Sequence, residues 1–268
     1  MSEGLFHLRC FIIGFVVAAC SVPVDQGVSE GRILSAFYGL ENLPFVAILP
    51  CEAWVEGQDG MPVTFSVRID DHSLSESMFE ITRGDGVKVT PRCATLRPAT
   101  EPLERRTVLL AGDFGTVGMP PRSVEVIGSL LDDQGGILKG ARIDWVTPLE
   151  RGPKLVLAES YPATTPEFRR DCPADTGQIL QLVFDGGVSG PEGAALSRPQ
   201  REGIHVRLAD GQVIRPLELS DDDPDNFVLA CIGSETTAVG VIIDSDLFYD
   251  PGNDPNDTTQ SPVIQGRW

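Results

Sequence analysis

The chain has 268 residues, with 21 basic against 39 acidic side chains and a formal net charge of −18. Such a surface repels phosphate backbones and shows no basic stripe, which excludes nucleic acid as a partner and offers no electrostatic pull toward an anionic bilayer. With 41% hydrophobic residues the chain can bury a core, and its 28 Gly and 21 Pro suit many short strands joined by turns.

At the N-terminus Arg9 precedes an apolar run from Phe11 to Ala19. Charge, short apolar core and small closing residues make residues 1–19 a secretory signal, too short to span a bilayer. Val17-Ala18-Ala19-Cys20 resembles the bacterial lipobox, an aliphatic residue and two small ones before a cysteine. The resemblance implies that Cys20 carries acyl chains and becomes the mature N-terminus, anchoring the protein to a membrane. Ser21, where inner-membrane retention uses aspartate, implies the outer membrane, with the protein facing periplasm or surface. Residues 20–44 read as a tether, with one apolar docking patch at Phe37-Tyr38.

Cys51, Cys93, Cys172 and Cys231 then remain, an even number that implies disulfides in an exported chain. No C-x-x-C occurs and the spacings match no zinc pattern. Of three possible connectivities, Cys51–Cys93 and Cys172–Cys231 keep each bridge within one half of the chain.

Past the tether the signals are β. Val63 to Ile69 alternates apolar and polar strictly, as a strand with one buried face requires. Phe79 to Val89 is two alternating runs around Asp85-Gly86, a hairpin signal. Arg106–Leu110, Ser123–Ile127 and Lys154–Ala158 are further strands, and no stretch after the signal carries a capped helical period.

The second half repeats the first. Phe79 and Ile81 align with Ile204 and Val206, Asp85-Gly86 with Asp210-Gly211, and Pro91 with Pro216. Around this hairpin, Phe65 aligns with Leu180, Thr107–Leu110 with Phe227–Ala230, and Ser123–Ile127 with Ala238–Ile242. The repeat predicts an all-β protein of two tandem domains, residues 45–162 and 163–268, divided near Tyr161 to Cys172. About seven strands per domain with turn clusters between them resembles the bacterial immunoglobulin-like or fibronectin-like β-sandwich.

Chemistry-bearing candidates are few. His72 sits in a turn and His205 on the outward side of a strand, so neither has an evident catalytic partner. Asp175-Thr176-Gly177 matches the aspartic-protease triplet, but no apolar strand leads into it and no second copy exists to share a proton. The acidic loops Asp221-Asp222-Asp223-Pro224-Asp225 and Asp250-Pro251-Gly252-Asn253-Asp254 offer hard oxygen ligands. Calcium would fall to Asp221, Asp223, Asp225, Asp250, Asn253 and Asp254, although an unliganded turn uses the same residues. Trp54 and Trp145 are expected to pack on the core rather than to form a sugar platform. No cofactor is required. Together these features predict a non-enzymatic binding or structural module of the cell envelope, with an envelope protein or glycan as ligand. The alternative is a carboxylate-based envelope hydrolase, calcium-assisted, with its site between the domains.

Overall fold

The structure is a computed structural model that describes residues 31–40, 43, 51, 57–148, 150–168, 172–220 and 225–268. Cys20, Trp54, Asp221 and Asp223 lie outside the described residues. The first half contributes β1 (Ile33–Ala36), β2 (Asp59–Phe65), β3 (Phe79–Thr82), β4 (Lys88–Val89), β5 (Cys93–Thr95), β6 (Thr107–Gly112), β7 (Ser123–Val126) and β8 (Arg142–Ile143). The second contributes β9 (Leu155–Pro162), β10 (Gln178–Phe184), β11 (Ile204–Leu208), β12 (Val213–Ile214), β13 (Glu218–Ser220), β14 (Phe227–Ile232), β15 (Ala238–Ile243) and β16 (Thr259–Gln265). The one α-helix among the described residues, α1 (Arg198–Glu202), is a single turn closed by a Ser197–Gln200 capping box.

The halves share one topology. Strand order β1-β2-β6-β5 in the first recurs as β9-β10-β14-β13 in the second, and β4-β3-β7-β8 recurs as β12-β11-β15-β16. Two facing sheets in this order are the immunoglobulin-like sandwich. Met61, Val63, Phe65, Val108 and Leu110 pack against Phe79, Ile81, Val124 and Val126 in the first core. Leu180, Leu182, Phe184, Val228 and Ala230 pack against Ile204, Val206, Val241 and Ile243 in the second. In the second half β16 also pairs in parallel with β9, joining its two sheets into one of eight strands. Among the described residues, the first half reduces that seam to one parallel bridge, Phe37 to Thr147.

Equivalence extends to irregularities. A bulge separates Ile33 from Ser35 where β1 meets β2, and another separates Leu155 from Leu157 where β9 meets β10. Gly86 and Gly211 both take positive φ in the expected hairpins, at 85° and 88°. Each turn is a three-residue loop rather than a two-residue one. Arg83 N–H donates to the Val87 carbonyl and Leu208 N–H to the Gln212 carbonyl, while the Asp85 and Asp210 carboxylates accept from residues 87 and 212.

Two of the sequence alignments are displaced. The ladders set Met61, Val63 and Phe65 against Leu180, Leu182 and Phe184, four residues along from the Phe65–Leu180 match. They likewise set Val124 and Val126 against Val241 and Ile243, two residues along. Both slips are even, so every apolar side chain stays on its face, and alternation alone cannot detect them.

Cys51–Cys93 and Cys172–Cys231 form the two disulfides. They are not superposable. Cys93 on β5 lies opposite Ala111 on β6, and the equivalent pair in the second half is Glu218 on β13 opposite Cys231 on β14. The bridge has moved across one rung while still tying the loop before the second strand to the sheet.

The halves dock through the outer face of β9, β10 and β14. Leu103 of the loop between β5 and β6 packs with Tyr161, Phe168, Ile179 and Leu229, and Ala99 packs with Leu157, Val183 and Phe227. Covered on both faces, β10 is buried at all seven positions. The buried Arg106 guanidinium pairs with Glu159 at 2.5 Å, and Asn226 donates to the Thr107 hydroxyl at 2.9 Å. Two boundaries therefore differ from the sequence reading. Ile33–Ala36, expected in the tether, is the first strand of a sheet, and Leu155–Pro162, assigned to the first domain, belongs to the second half's sheet. A cut near Tyr161 to Cys172 would strip the second sandwich of β9.

Candidate binding site at the junction of the halves

The segment from β8 to β9 builds the site. Arg142 points outward from β8 and its guanidinium donates to the Asp144 and Glu125 carboxylates at 2.6 and 2.8 Å. The chain bends at Asp144, alternation ends there, and the next side chain is released from the core. Trp145 is 67% exposed, which corrects its expected place in the core. Val146 is buried, Thr147 makes the bridge to Phe37, and Gly152 lies so close to the Pro255 carbonyl that any Cβ would collide with it.

Between this segment, β1, the start of β9 and residues 257–259 lies an open cavity of about 480 Å³. Trp145, Ile143, Leu34, Pro148, Pro153 and Val156 give it apolar surface, and Arg151, Lys154 and Asp257 give it charge. Ser35, Thr259 and Asp185 also line it. Ser35 and Thr259 are each only 6% exposed, and neither hydroxyl has a hydrogen-bond partner within the chain. Asp185 is 2% exposed; it accepts from Lys154 N–H at 2.7 Å and from the Thr147 hydroxyl at 3.5 Å. Burial pushes its carboxyl up to about 6 despite those bonds, so it titrates close to neutrality.

The site residues expected from the sequence fall elsewhere. Asp250 is buried and folds its own loop, its carboxylate accepting from Asp254 N–H at 2.8 Å, and burial pushes it up to about 6. Asn253 accepts from Glu192 N–H at 2.7 Å, and Asp225 from Phe227 N–H at 2.6 Å. Asp225 meets Glu101 and Glu104 of the first half, with carboxylate oxygens within 4.8 Å of one another, rather than Asp250 and Asp254. The glutamates lie in the loop between β5 and β6, which no acidic-loop pattern singles out. His72 is exposed beside Asp71, and His205 contacts the Asp244 carboxylate at 2.9 Å. Asp175-Thr176-Gly177 is the turn entering β10, held by Gly177 N–H donating to the Ile232 carbonyl. Ser35, Thr259 and Asp185 were missed because none of them belongs to a motif or spaced pattern in the sequence.

No family model matches the chain. No curated protein matches it. Among solved structures it is similar to the N-terminal part of the bacterial S-layer protein SbsC, at 13% identity over 87% of this chain and 44% of that one, with a TM-score of 0.32. It is also similar to the S-layer protein rSbsC(31-844), at 14% identity over 88% of this chain and 26% of that one, with a TM-score of 0.33. The chain spans less than half the length of either.

Proposed function

We propose that the chain is an exported envelope protein, lipid-anchored at Cys20, that binds a ligand between its two halves without transforming it. The observation that carries this reading is the junction cavity, where the exposed Trp145 and residues from both halves line one open space. The size falls in the range of about 300–1,000 Å³ usual for small-molecule sites. Two disulfides suit an oxidising compartment, and the lipobox resemblance supplies the anchor. The docked halves would present the cavity on a rigid body held off the membrane by the segment after Cys20.

The test is co-sedimentation of the mature lipoprotein, purified in detergent, with envelope fragments. Binding that Trp145→Ala removes while the melting temperature stays unchanged supports the reading; binding indifferent to Trp145 contradicts it. A second reading, a carboxylate-dependent hydrolase, draws on Glu101, Glu104 and Asp225. Release of soluble fragments by the purified protein, abolished in Glu101→Gln, would favour it.

A further inference from the structure

We propose that the ligand of the junction cavity is zwitterionic: an apolar α-amino acid, free or as a short peptide. The step rests on the binding reading above and gives that ligand a chemical class. It comes from the charges that reach the open side of the cavity. The floor offers a ligand little polarity, because the Ser35 and Thr259 hydroxyls are shut away and both Asp185 oxygens are taken by Lys154 N–H and the Thr147 hydroxyl. The Lys154 ammonium interacts with that same carboxylate. Arg151 and Asp257 differ. Both line the cavity and both are exposed. Among the described residues neither side chain has a hydrogen bond or an ion pair, with the other or with any neighbour.

Their position turns two free charges into a site. Gly152 lies against the Pro255 carbonyl, so the segment carrying Arg151 and the segment carrying Asp257 are held together at the cavity. Opposite charges on adjoining segments that do not pair with each other suit a molecule bearing both signs. The planar arginine fork donates two parallel bonds to a carboxylate, and the Asp257 carboxylate accepts from an ammonium. Beside them Trp145, Ile143, Leu34 and Val156 form the apolar wall. An apolar side chain lies on that wall and on the open indole while its α-carboxylate and α-ammonium reach the two charges. A simple anion would meet Arg151 but be repelled by Asp257, and a simple cation the reverse. An uncharged apolar molecule would use neither charge. A volume of about 480 Å³ holds one amino acid or a dipeptide. Trp145 belongs to the first half, Asp257 to the second and Arg151 to the connection between them, so neither sandwich carries the site alone.

The experiment titrates the mature full-length lipoprotein in detergent with leucine, phenylalanine and dipeptides of the two, read by calorimetry and tryptophan fluorescence. Glycine and diglycine, which carry both charges without the apolar body, are the controls. At least one apolar compound is expected to bind, with the controls about tenfold weaker or more. Tighter binding of the dipeptides identifies a peptide as the source of this chemistry, and tighter binding of the monomers a free amino acid. N-acetylation and C-terminal amidation each remove one charge and should each weaken binding about fivefold, the upper end for an exposed ion pair. Arg151→Gln should weaken the uncapped compound by that factor and leave its amide unchanged. Asp257→Asn should do the same to the uncapped compound and leave its N-acetyl form unchanged. Both residues are exposed, so melting curves of the variants should match the parent. Capped and uncapped compounds binding alike, or variants that do not discriminate between them, would overturn the zwitterion assignment. If no compound binds while envelope fragments are still held in a Trp145-dependent way, that assignment falls and the binding reading stands. If the fragments are not held either, the binding reading itself fails.

Discussion

Glu159→Gln isolates the contact that fixes the two halves against each other. Glu159 and Arg106 are both buried where the outer face of β9 meets the end of the loop preceding β6. The guanidinium also donates to the Ser66 carbonyl at 3.0 Å, and the Tyr161 hydroxyl donates to Glu159 at 2.8 Å, burial and that carboxylate together pushing the phenol up. Glutamine preserves the shape and an acceptor for Tyr161 but leaves the arginine charge uncompensated away from water. Removing one partner of a buried pair destabilises by about 3–5 kcal/mol, whereas an exposed pair is worth about 1 kcal/mol or less. At about 2–4 °C per kcal/mol for a chain of this size, the melting temperature should fall on the order of 10 °C. The double variant Arg106→Met with Glu159→Leu should recover most of that loss, since apolar replacements of similar volume need no counter-charge. Calorimetry on the two variants is the assay. A Glu159→Gln loss within about 1 kcal/mol would mean the pair is solvated, and the docked interface would be refuted.

Three further outcomes follow from other buried groups. Gln181 is fully buried on the docked face with neither side-chain oxygen nor nitrogen partnered, so Gln181→Met should raise stability by about 1 kcal/mol or more in urea titrations; a clear loss would imply a hidden partner. Asp185 is raised from 3.8 to about 6, so the folded state binds its proton more tightly than the unfolded chain. Its contribution is complete below pH ~4 and is lost as pH rises through ~6, about 3 kcal/mol in all, and Asp185→Asn should remove that part of the slope while the part due to Asp250 persists. Reduction of Cys172–Cys231, which closes a loop of 59 positions, should destabilise the second half by about 4 kcal/mol on the loop-entropy model, read as a lower urea midpoint in dithiothreitol.

The sandwich class, the disulfide pairs and the hairpins at Gly86 and Gly211 were legible because each rests on a local rule: strict alternation, cysteine parity, and a glycine where φ must be positive. The repeat was legible in outline and wrong in register by two and four residues, since a pleat with period two returns the same face after any even shift. Leu155–Pro162 went to the wrong half because a strand pattern does not say which sheet it joins. Its outward residues Leu157, Glu159 and Tyr161 are covered by the other half, so the burial that explains them is invisible until the halves are docked. Trp145 misled for a related reason: it follows an inward-facing Ile143 at strand spacing, and only the bend at Asp144 turns it out. The junction cavity draws on residues as far apart as Ser35 and Thr259, neither of which stands out from its strand.

The most direct measurement is an amide-shift map of the isotope-labelled mature protein, recorded while soluble fragments of envelope material are added. A ligand held between the halves should move resonances of residues 34–36, 143–154, 185 and 257–259, with the Trp145 indole N–H among the largest changes and none of them in Trp145→Ala. Shifts confined to the outer face of β11, β15 and β16, where Ile242 and Ile264 are exposed, would place binding on a sheet surface and contradict the junction as the site.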